Sequence, residues 1–283
     1  MIDFIKKNIR CKVFGNPINH SLSPMIHGLF SEQTGIKYNY SKKLVPVNNF
    51  KEILLDFFCS KKSNYGLNIT VPFKNKAFYL CNKLTDRALA SGSVNVIQRI
   101  SFNSSEILGD NTDGIGLLYD LKRLNFIKSD SLILLLGVGD TSNNIIIPLL
   151  NFGCSIYVFN RTEFKIESFV LKYKKYGKIF IFDPSLNNNF DLVINATSSS
   201  MNNVVPCFPK NIKFNLNSCC YDVFYSSYNT PFLDFCIGLG IKKFSDGLGM
   251  LVSQAAYSFY NWFGFLPDIN SIINIVVKNI KNN

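Results

Sequence analysis

The sequence predicts an α/β fold in two domains, the second built on a parallel sheet. Three observations carry that expectation. β-rich runs of period 2 alternate with helical runs from end to end, the pattern of a mostly parallel sheet wrapped by helices. Leu132 to Ser142 reads as a strongly apolar strand that passes through a glycine turn into a helix. The chain has 283 residues, 47% of them hydrophobic, which suits two cores at about 150 residues per domain.

In the first half, a strand over 12–16 leads to a helix that starts at Ser23, with Pro24 in its first turn and Gly35 as its stop. A strand over 37–45 and a helix over 48–61 follow. Next come a strand over 65–71, helical stretches up to Gly92 and a strand over 93–100. A helix from Asp113 to about Leu124 connects to the second half. There, 131–139 is the most apolar strand of the chain, and the helix over 141–152 is stopped by Gly153. A strand over 154–160 and a helix over 162–176 follow, then strands over 178–182, 191–197 and 219–225. Residues 183–189 and most of 202–217 read as polar loop. Two helices, 248–263 and 268–281, close the chain.

Composition excludes several classes. No apolar run approaches the roughly 18–20 residues that a spanning helix needs, so no membrane partner is expected. The start, Met-Ile-Asp-Phe-Ile-Lys-Lys, lacks the apolar stretch and small-residue site of a secretory signal, which points to a cytoplasmic protein. Lys+Arg 30 against Asp+Glu 19 gives +11. That charge is scattered in separate pairs such as Lys42–Lys43 and Lys174–Lys175, without a basic block, so no nucleic-acid partner is expected. Eight cysteines without Cys-x-x-Cys spacing read as free thiols. His20 and His27 are too few for a zinc site with cysteines at useful spacing, so no metal is expected.

The strand–turn–helix at 132–142 has the chemistry of a dinucleotide site. Gly137 supplies the tight turn and Gly139 lets the backbone approach a pyrophosphate. Val138, Thr141 and Ser142 complete the turn at a helix N-terminus. The next strand ends at Asn160, 23 residues past Gly137, about where this fold reads the adenine ribose. Arg161, Thr162 and Lys165 stand there. Cations in place of an Asp or Glu favour the 2′-phosphate of NADP over NAD. The bland alternative is a solvated turn capped by Thr162. Asp140 would repel a pyrophosphate, and we expect its side chain to cap the helix instead.

Polar residues cluster in the first half. Ser21 and Ser23 flank a helix start, where Ser23 could cap the helix or both hydroxyls could receive a carboxylate. Asn68 and Thr70 share one face of a strand. Lys74 falls in the first turn of the next helix, the wrong end of its dipole for a cation. That placement makes sense if the ammonium has a partner or a task. Asp113 is the natural partner and Asn95 adds a third polar group, unless these are a surface lysine and an N-capping aspartate.

Taken in order, these segments make the chain resemble the shikimate dehydrogenase family. The matching stretches are Val13-Phe-Gly-Asn-Pro-Ile-Asn-His-Ser-Leu-Ser-Pro24, Asn68-Ile-Thr-Val-Pro-Phe-Lys74, Gly92-Ser-Val-Asn95 and Gly109-Asp-Asn-Thr-Asp-Gly114. They continue through the glycine turn, Asn160-Arg-Thr162, Ile194-Asn-Ala-Thr197, Tyr221-Asp-Val-Phe-Tyr225 and Asp246-Gly-Leu-Gly-Met-Leu-Val-Ser-Gln254. The resemblance implies reversible NADPH-dependent reduction of 3-dehydroshikimate to shikimate, a step toward chorismate and the aromatic amino acids, by a monomer or homodimer. It implies that Ser21 and Ser23, with Thr70 and Tyr225 close by, hold the substrate carboxylate. Asn68, Asn95, Asp113 and Gln254 would hold ring hydroxyls, and Lys74 and Asp113 would be the catalytic pair. Val223 and Gly247 match positions that line the nicotinamide pocket. A substrate domain over 1–113, completed by 246–283, and a Rossmann-type NADP domain over 114–245 are expected. Where the family usually has glycine this chain has Asp140 and Ser200, the second expected to touch only a loop. Rival readings are a sister dehydrogenase for quinate or another polyol acid, perhaps with NAD, and a non-catalytic binding protein on the same fold.

Overall fold

The computed structural model describes residues 8–101, 103–185, 189–209 and 212–281. The N-terminal heptapeptide and parts of the two expected polar loops lie outside them. Two compact units divide the chain: the first takes residues up to Thr112 and Gln254–Val276, the second Asp113–Ser253 and the residues from Val277 on.

In the first unit, β1 (Arg10–Gly15) pairs in parallel with β2 (Asn39–Leu44) and β3 (Asn64–Ile69). β5 (Val96–Arg99) runs antiparallel to β3 and to β6 (Ile107–Asp110), and the two-residue β4 (Lys83–Leu84) closes the edge. The order is β2-β1-β3-β5-β6-β4. Helices α1 (Ser23–Thr34), α2 (Phe50–Ser60), α3 (Lys74–Phe78) and α4 (Asp86–Ser91) connect these strands. Phe14, Phe50, Phe57, Leu67, Ile69 and Phe73 form the core on one side. The sheet also takes the Trp262 indole against Gly66, where any Cβ would lie within 2.8 Å of the ring, and Trp262 Nε1 donates to Ile97 O at 3.1 Å.

The second unit opens with α5 (Asp113–Arg123). Its sheet is wholly parallel: β7 (Leu132–Leu136), β8 (Ser155–Phe159), β9 (Ile179–Ile181), β10 (Asn189–Asn195), β11 (Lys213–Asp222) and β12 (Lys243–Ser245). Their order, β12-β11-β10-β7-β8-β9, is the doubly wound arrangement, with its reversal between β7 and β10. β7 sits at the centre with Ile133, Leu134, Leu135 and Leu136 fully buried, which is why its sequence is an unbroken apolar run. α6 (Asp140–Asn151), α7 (Phe164–Tyr173) and α8 (Pro231–Gly238) complete the crossovers. The expected two-domain α/β architecture is therefore present.

α9 (Leu248–Phe263) and α10 (Ile269–Lys281) end the chain. The expected return at 246 needs correction, because residues up to Ser253 stay with the second unit. The reason is local. Gly247 lies on the Val223 carbonyl and Gly249 on the Asp120 carboxylate, each so close that a Cβ would not fit. Asp113 likewise belongs to the second unit, not to the end of the first. No described helix is long and apolar enough to cross a membrane.

Candidate active site

In the first unit, β1 delivers the chain into the loop that precedes α1. Gly15 is needed at the strand exit because a Cβ there would collide with the Thr70 methyl. The cap of α1 is Leu22 and carries no side-chain bond, so Ser23 does not cap the helix but is its first residue. Ser21 Oγ accepts the Ser23 N–H at 3.3 Å, and Lys42 Nζ donates to Asn19 O at 2.5 Å. Two half-buried hydroxyls and a cation thus meet at a positive helix end, a setting suited to a carboxylate.

Next to it is a hydrogen-bonded cluster. Tyr40 Oη donates to Asn68 Oδ1 at 2.8 Å, while Asn68 Nδ2 donates to Ser258 Oγ at 2.9 Å and to Asn95 O at 3.3 Å. Asn95 Nδ2 donates to Thr112 Oγ1 at 3.0 Å and to Gln254 Oε1 at 3.2 Å, and Asn95 Oδ1 accepts the Thr112 N–H at 2.8 Å. Asn68, Asn95 and Gln254, expected from the sequence, are brought together. Tyr40, Thr112 and Ser258 were missed. Ser258 had a signal, since it follows Gln254 by four residues and so shares its helix face. His27 stacks on Tyr40 with centroids 3.9 Å apart, and burial pushes its pKa down to about 3, so the ring supports the cluster as neutral imidazole. Burial also holds the Tyr40 hydroxyl well above its ordinary value, the nearby Cys11 adding to this and a hydrogen bond with Ser23 opposing it.

Lys74 is the first residue of α3, whose cap, Phe73, has no side-chain bond. Its carbonyl accepts the Val94 N–H at 3.0 Å, and Ile69 N donates to Asn95 O at 2.8 Å, so the Asn68–Lys74 segment is fixed alongside Asn95.

In the second unit, Asp113 begins α5, buried, with its Oδ2 accepting from Asn144 Nδ2 at 2.9 Å. Gly114 allows this because a Cβ would strike Asn144 O and the Pro148 ring across the α5–α6 contact. Gly137 takes a left-handed φ of 98° and accommodates Thr197 Cγ2, which a Cβ would meet at 2.9 Å. Gly139 is different. Its φ of −86° suits any residue and a Cβ there would find nothing within 4 Å, so the fold itself does not require glycine at this position. Val138 and Thr141 are half-buried at this turn. Ser142 is fully buried and donates to Gly137 O at 2.8 Å, so it shapes the turn instead of facing a pyrophosphate.

Asp140 corrects an expectation. Gly139 is the cap of α6, and Asp140 is the first helical residue, exposed, with its charge favoured by the helix dipole. After β8, Asn160 Nδ2 donates to Thr162 O at 3.0 Å. Thr162 does not cap α7, whose cap is Glu163 without a side-chain bond. Arg161 and Lys165 are exposed, and so is Glu163, a carboxylate in the same turn that the motif spacing does not bring out.

Val223 and Gly247 are in contact: a Cβ on Gly247 would run into Val223 O, and Gly247 N donates to Phe224 O at 3.0 Å. Tyr225, half-buried two residues further on, belongs to this second unit, and burial with the nearby Asp246 raises its pKa. Ser200 is not confined to a loop surface. It is 4% exposed and bonded to the buried Asp222. No group of three or more His, Cys, Asp or Glu side chains among the described residues could hold a metal ion.

The glycine turn, the exposed cations after β8 and the amide cluster fit a dinucleotide and a small polyhydroxylated acid. Comparison with known proteins agrees. The profile described as the shikimate dehydrogenase substrate binding domain matches residues 13–97, that of the shikimate/quinate 5-dehydrogenases 121–206, and that of the shikimate 5′-dehydrogenase C-terminal domain 247–276. The shikimate dehydrogenase (NADP(+)) of Buchnera aphidicola subsp. Cinara cedri is 49% identical over 276 residues, 96% of this chain and 97% of that one. Among solved structures, an Ael1 enzyme from Pseudomonas putida has a TM-score of 0.85 at 32% identity, over 94% of this chain and 97% of its own. The shikimate 5-dehydrogenase of Thermus thermophilus, crystallised with NADP(H) and shikimate, has a TM-score of 0.83 at 26% identity, over 96% and 99%. With 49% identity over 96% of its length and family profiles matched in both halves, the chain belongs to the shikimate dehydrogenase family.

Proposed function

We propose that the protein catalyses the reversible reduction of 3-dehydroshikimate to shikimate with NADPH, on the route to chorismate. The observation that carries this reading is the bonded set of Asn68, Asn95 and Gln254 beside the segment that holds Lys74. Bound NADPH supplies the hydride for the C3 carbonyl. Lys74 stabilises the charge that develops on that oxygen and protonates it. Ser21, Ser23 and Thr70 hold the carboxylate. Asn68 has both amide hydrogens committed to Ser258 and Asn95, so towards a ring hydroxyl it acts as an acceptor through Oδ1. Arg161 and Lys165 hold the 2′-phosphate, and the turn at Gly137 and Gly139 receives the pyrophosphate.

Loss of NADPH absorbance with 3-dehydroshikimate tests the reading, alongside NADH and the Lys74→Ala variant. Turnover with NADPH that the variant lacks is the expected result. No turnover with either cofactor would sink it. The family description that pairs shikimate with quinate supports a second reading, and turnover of shikimate and quinate side by side with NADP and NAD separates the two.

A further inference from the structure

One strand from the reversal of the second sheet, and bonded to the end of β10 that borders it, lies a carboxylate that the proposed chemistry does not use. Asp222, the last residue of β11, is fully buried. Four donors converge on it. Ser200 Oγ at 2.5 Å and Thr230 Oγ1 at 2.6 Å donate to Oδ2, and Asn195 Nδ2 and the Phe224 N–H, both at 3.1 Å, donate to Oδ1. The two hydroxyls are also engaged as acceptors. Thr230 Oγ1 caps α8 by accepting Leu233 N–H at 3.3 Å, and Ser200 Oγ accepts from Asn195 Nδ2 at 3.3 Å.

The set reaches the glycine turn by one route and the Val223–Gly247 contact by another. Asn195 Oδ1 accepts the Thr197 hydroxyl at 2.7 Å and its N–H at 3.1 Å, and the Thr197 methyl is what Gly137 packs against. On the other side, Val223 N donates to Asn195 O at 3.0 Å, and the Val223 carbonyl lies against Gly247. One carboxyl group therefore ties together the ends of β10 and β11, the start of α8 and the wall of the glycine turn. A strand-order reversal is where this fold takes its ligand.

We propose that Asp222, with Ser200 as its shortest donor, is a positioning residue for the nicotinamide half of the cofactor, holding Val223 and the Thr197 loop in place. It rests on the NADPH reading above. Asp222→Asn preserves shape but sets an amide N–H₂ against hydroxyl donors, so that at least one donor must turn away. Ser200→Ala removes a single donor and leaves three.

The test compares two ligands by titration. NADPH spans both halves of the site, whereas 2′,5′-ADP occupies only the adenine end near Arg161 and Lys165. Asp222→Asn should weaken NADPH about 10-fold or more and Ser200→Ala about 3-fold, while 2′,5′-ADP stays within about 2-fold of wild type in both. Equal weakening of both ligands would mean a general structural role and overturn the proposal, as would unchanged NADPH affinity in both variants. If Asp222→Asn does not fold, Ser200→Ala decides alone. Wild-type protein that binds NADPH yet turns over no 3-dehydroshikimate sinks the proposed reaction, and the two affinities still decide this inference. Wild-type protein that binds no NADPH overturns both.

Discussion

Tyr40→Phe is the substitution that most directly tests how the substrate cluster is built. The change removes one oxygen and nothing else. Asn68 Oδ1 then loses the 2.8 Å bond it accepts from Tyr40, while its amide hydrogens keep Ser258 and Asn95. Asn68 is 7% exposed, so little water replaces the lost donor. A buried acceptor left unpaired costs about 1–3 kcal/mol, which corresponds to a melting temperature lower by about 2 to 10 °C for units of this size. The ring stacking with His27 is retained, which confines the damage to the hydroxyl's hydrogen bonds, to Asn68 and to Ser23. Because Asn68 and Ser23 each lose the bond to Tyr40, KM for 3-dehydroshikimate should rise about 3- to 10-fold, with kcat within about 2-fold because Lys74 is untouched. Thermal unfolding and initial rates at saturating NADPH measure both effects. Wild-type values for melting temperature and KM together would refute the reasoning, since Asn68 would then not depend on Tyr40.

Three further outcomes are expected. Arg161→Ala should weaken NADPH by about 10- to 100-fold, the loss of one or two charge-assisted bonds, and leave NADH unchanged; isothermal titration with each cofactor checks this. Asp110 is buried, which raises its pKa, but hydrogen bonds from Arg87, Thr85 and Asn261 and the guanidinium charge more than offset that and hold it below its ordinary value. Its stabilisation is therefore complete above the unfolded carboxylate range, near pH ~4, and is lost as pH falls through the lowered folded value. Arg87→Gln should flatten that acid loss while lowering the urea midpoint at neutral pH. Asp140→Asn should strengthen NADPH binding about 2- to 5-fold at low salt, a gain that fades as salt screens the repulsion over a Debye length of about 10 Å or less; fluorescence titrations across a salt series read it.

Much of the architecture was legible because it is written in local pattern. β7 is the central strand, so it had to be apolar on both faces, and α9 carries a helical period over its whole length. The elements that were missed depend on their neighbours. β4 and β12 are two and three residues long and exist by pairing with β6 and β11. β6 contains Gly109, a poor strand former that is there because a Cβ would meet Cys81 Sγ at 2.6 Å. β11 begins at Lys213, inside a stretch expected to be loop, and its pairing with β10 shifts register between Phe190 and Leu192. α8 was overlooked although its signal was present: Thr230 caps it and Pro231 opens it. Tyr40 could not be foreseen as part of the site, because it reaches Asn68 only through the ordering of β2, β1 and β3 side by side.

The errors over helix ends bear on function. Ser23, Asp140 and Thr162 each had a structural explanation as an N-cap, and such a cap typically contributes about 1 kcal/mol. None of them holds that position: Leu22, Gly139 and Glu163 do, and without side-chain bonds. Where capping is the job, the chain does it plainly, with Thr85 on α4 and Thr230 on α8. Capping therefore does not account for the polar residues at the starts of α1, α6 and α7, although the helix dipole does favour the Asp140 charge. The starts of α6 and α7 follow β7 and β8, the strand ends where a doubly wound sheet receives phosphates. The start of α1 follows β1, beside the Asn68 cluster. Residues with a ready structural role that the fold does not use are better evidence for a ligand than residues with no obvious role. By that standard Thr162 is a stronger candidate than the motif spacing alone made it, whereas the Ser23 hydroxyl is already engaged with Tyr40. Ser142, whose hydroxyl is spent on Gly137, is a weaker one.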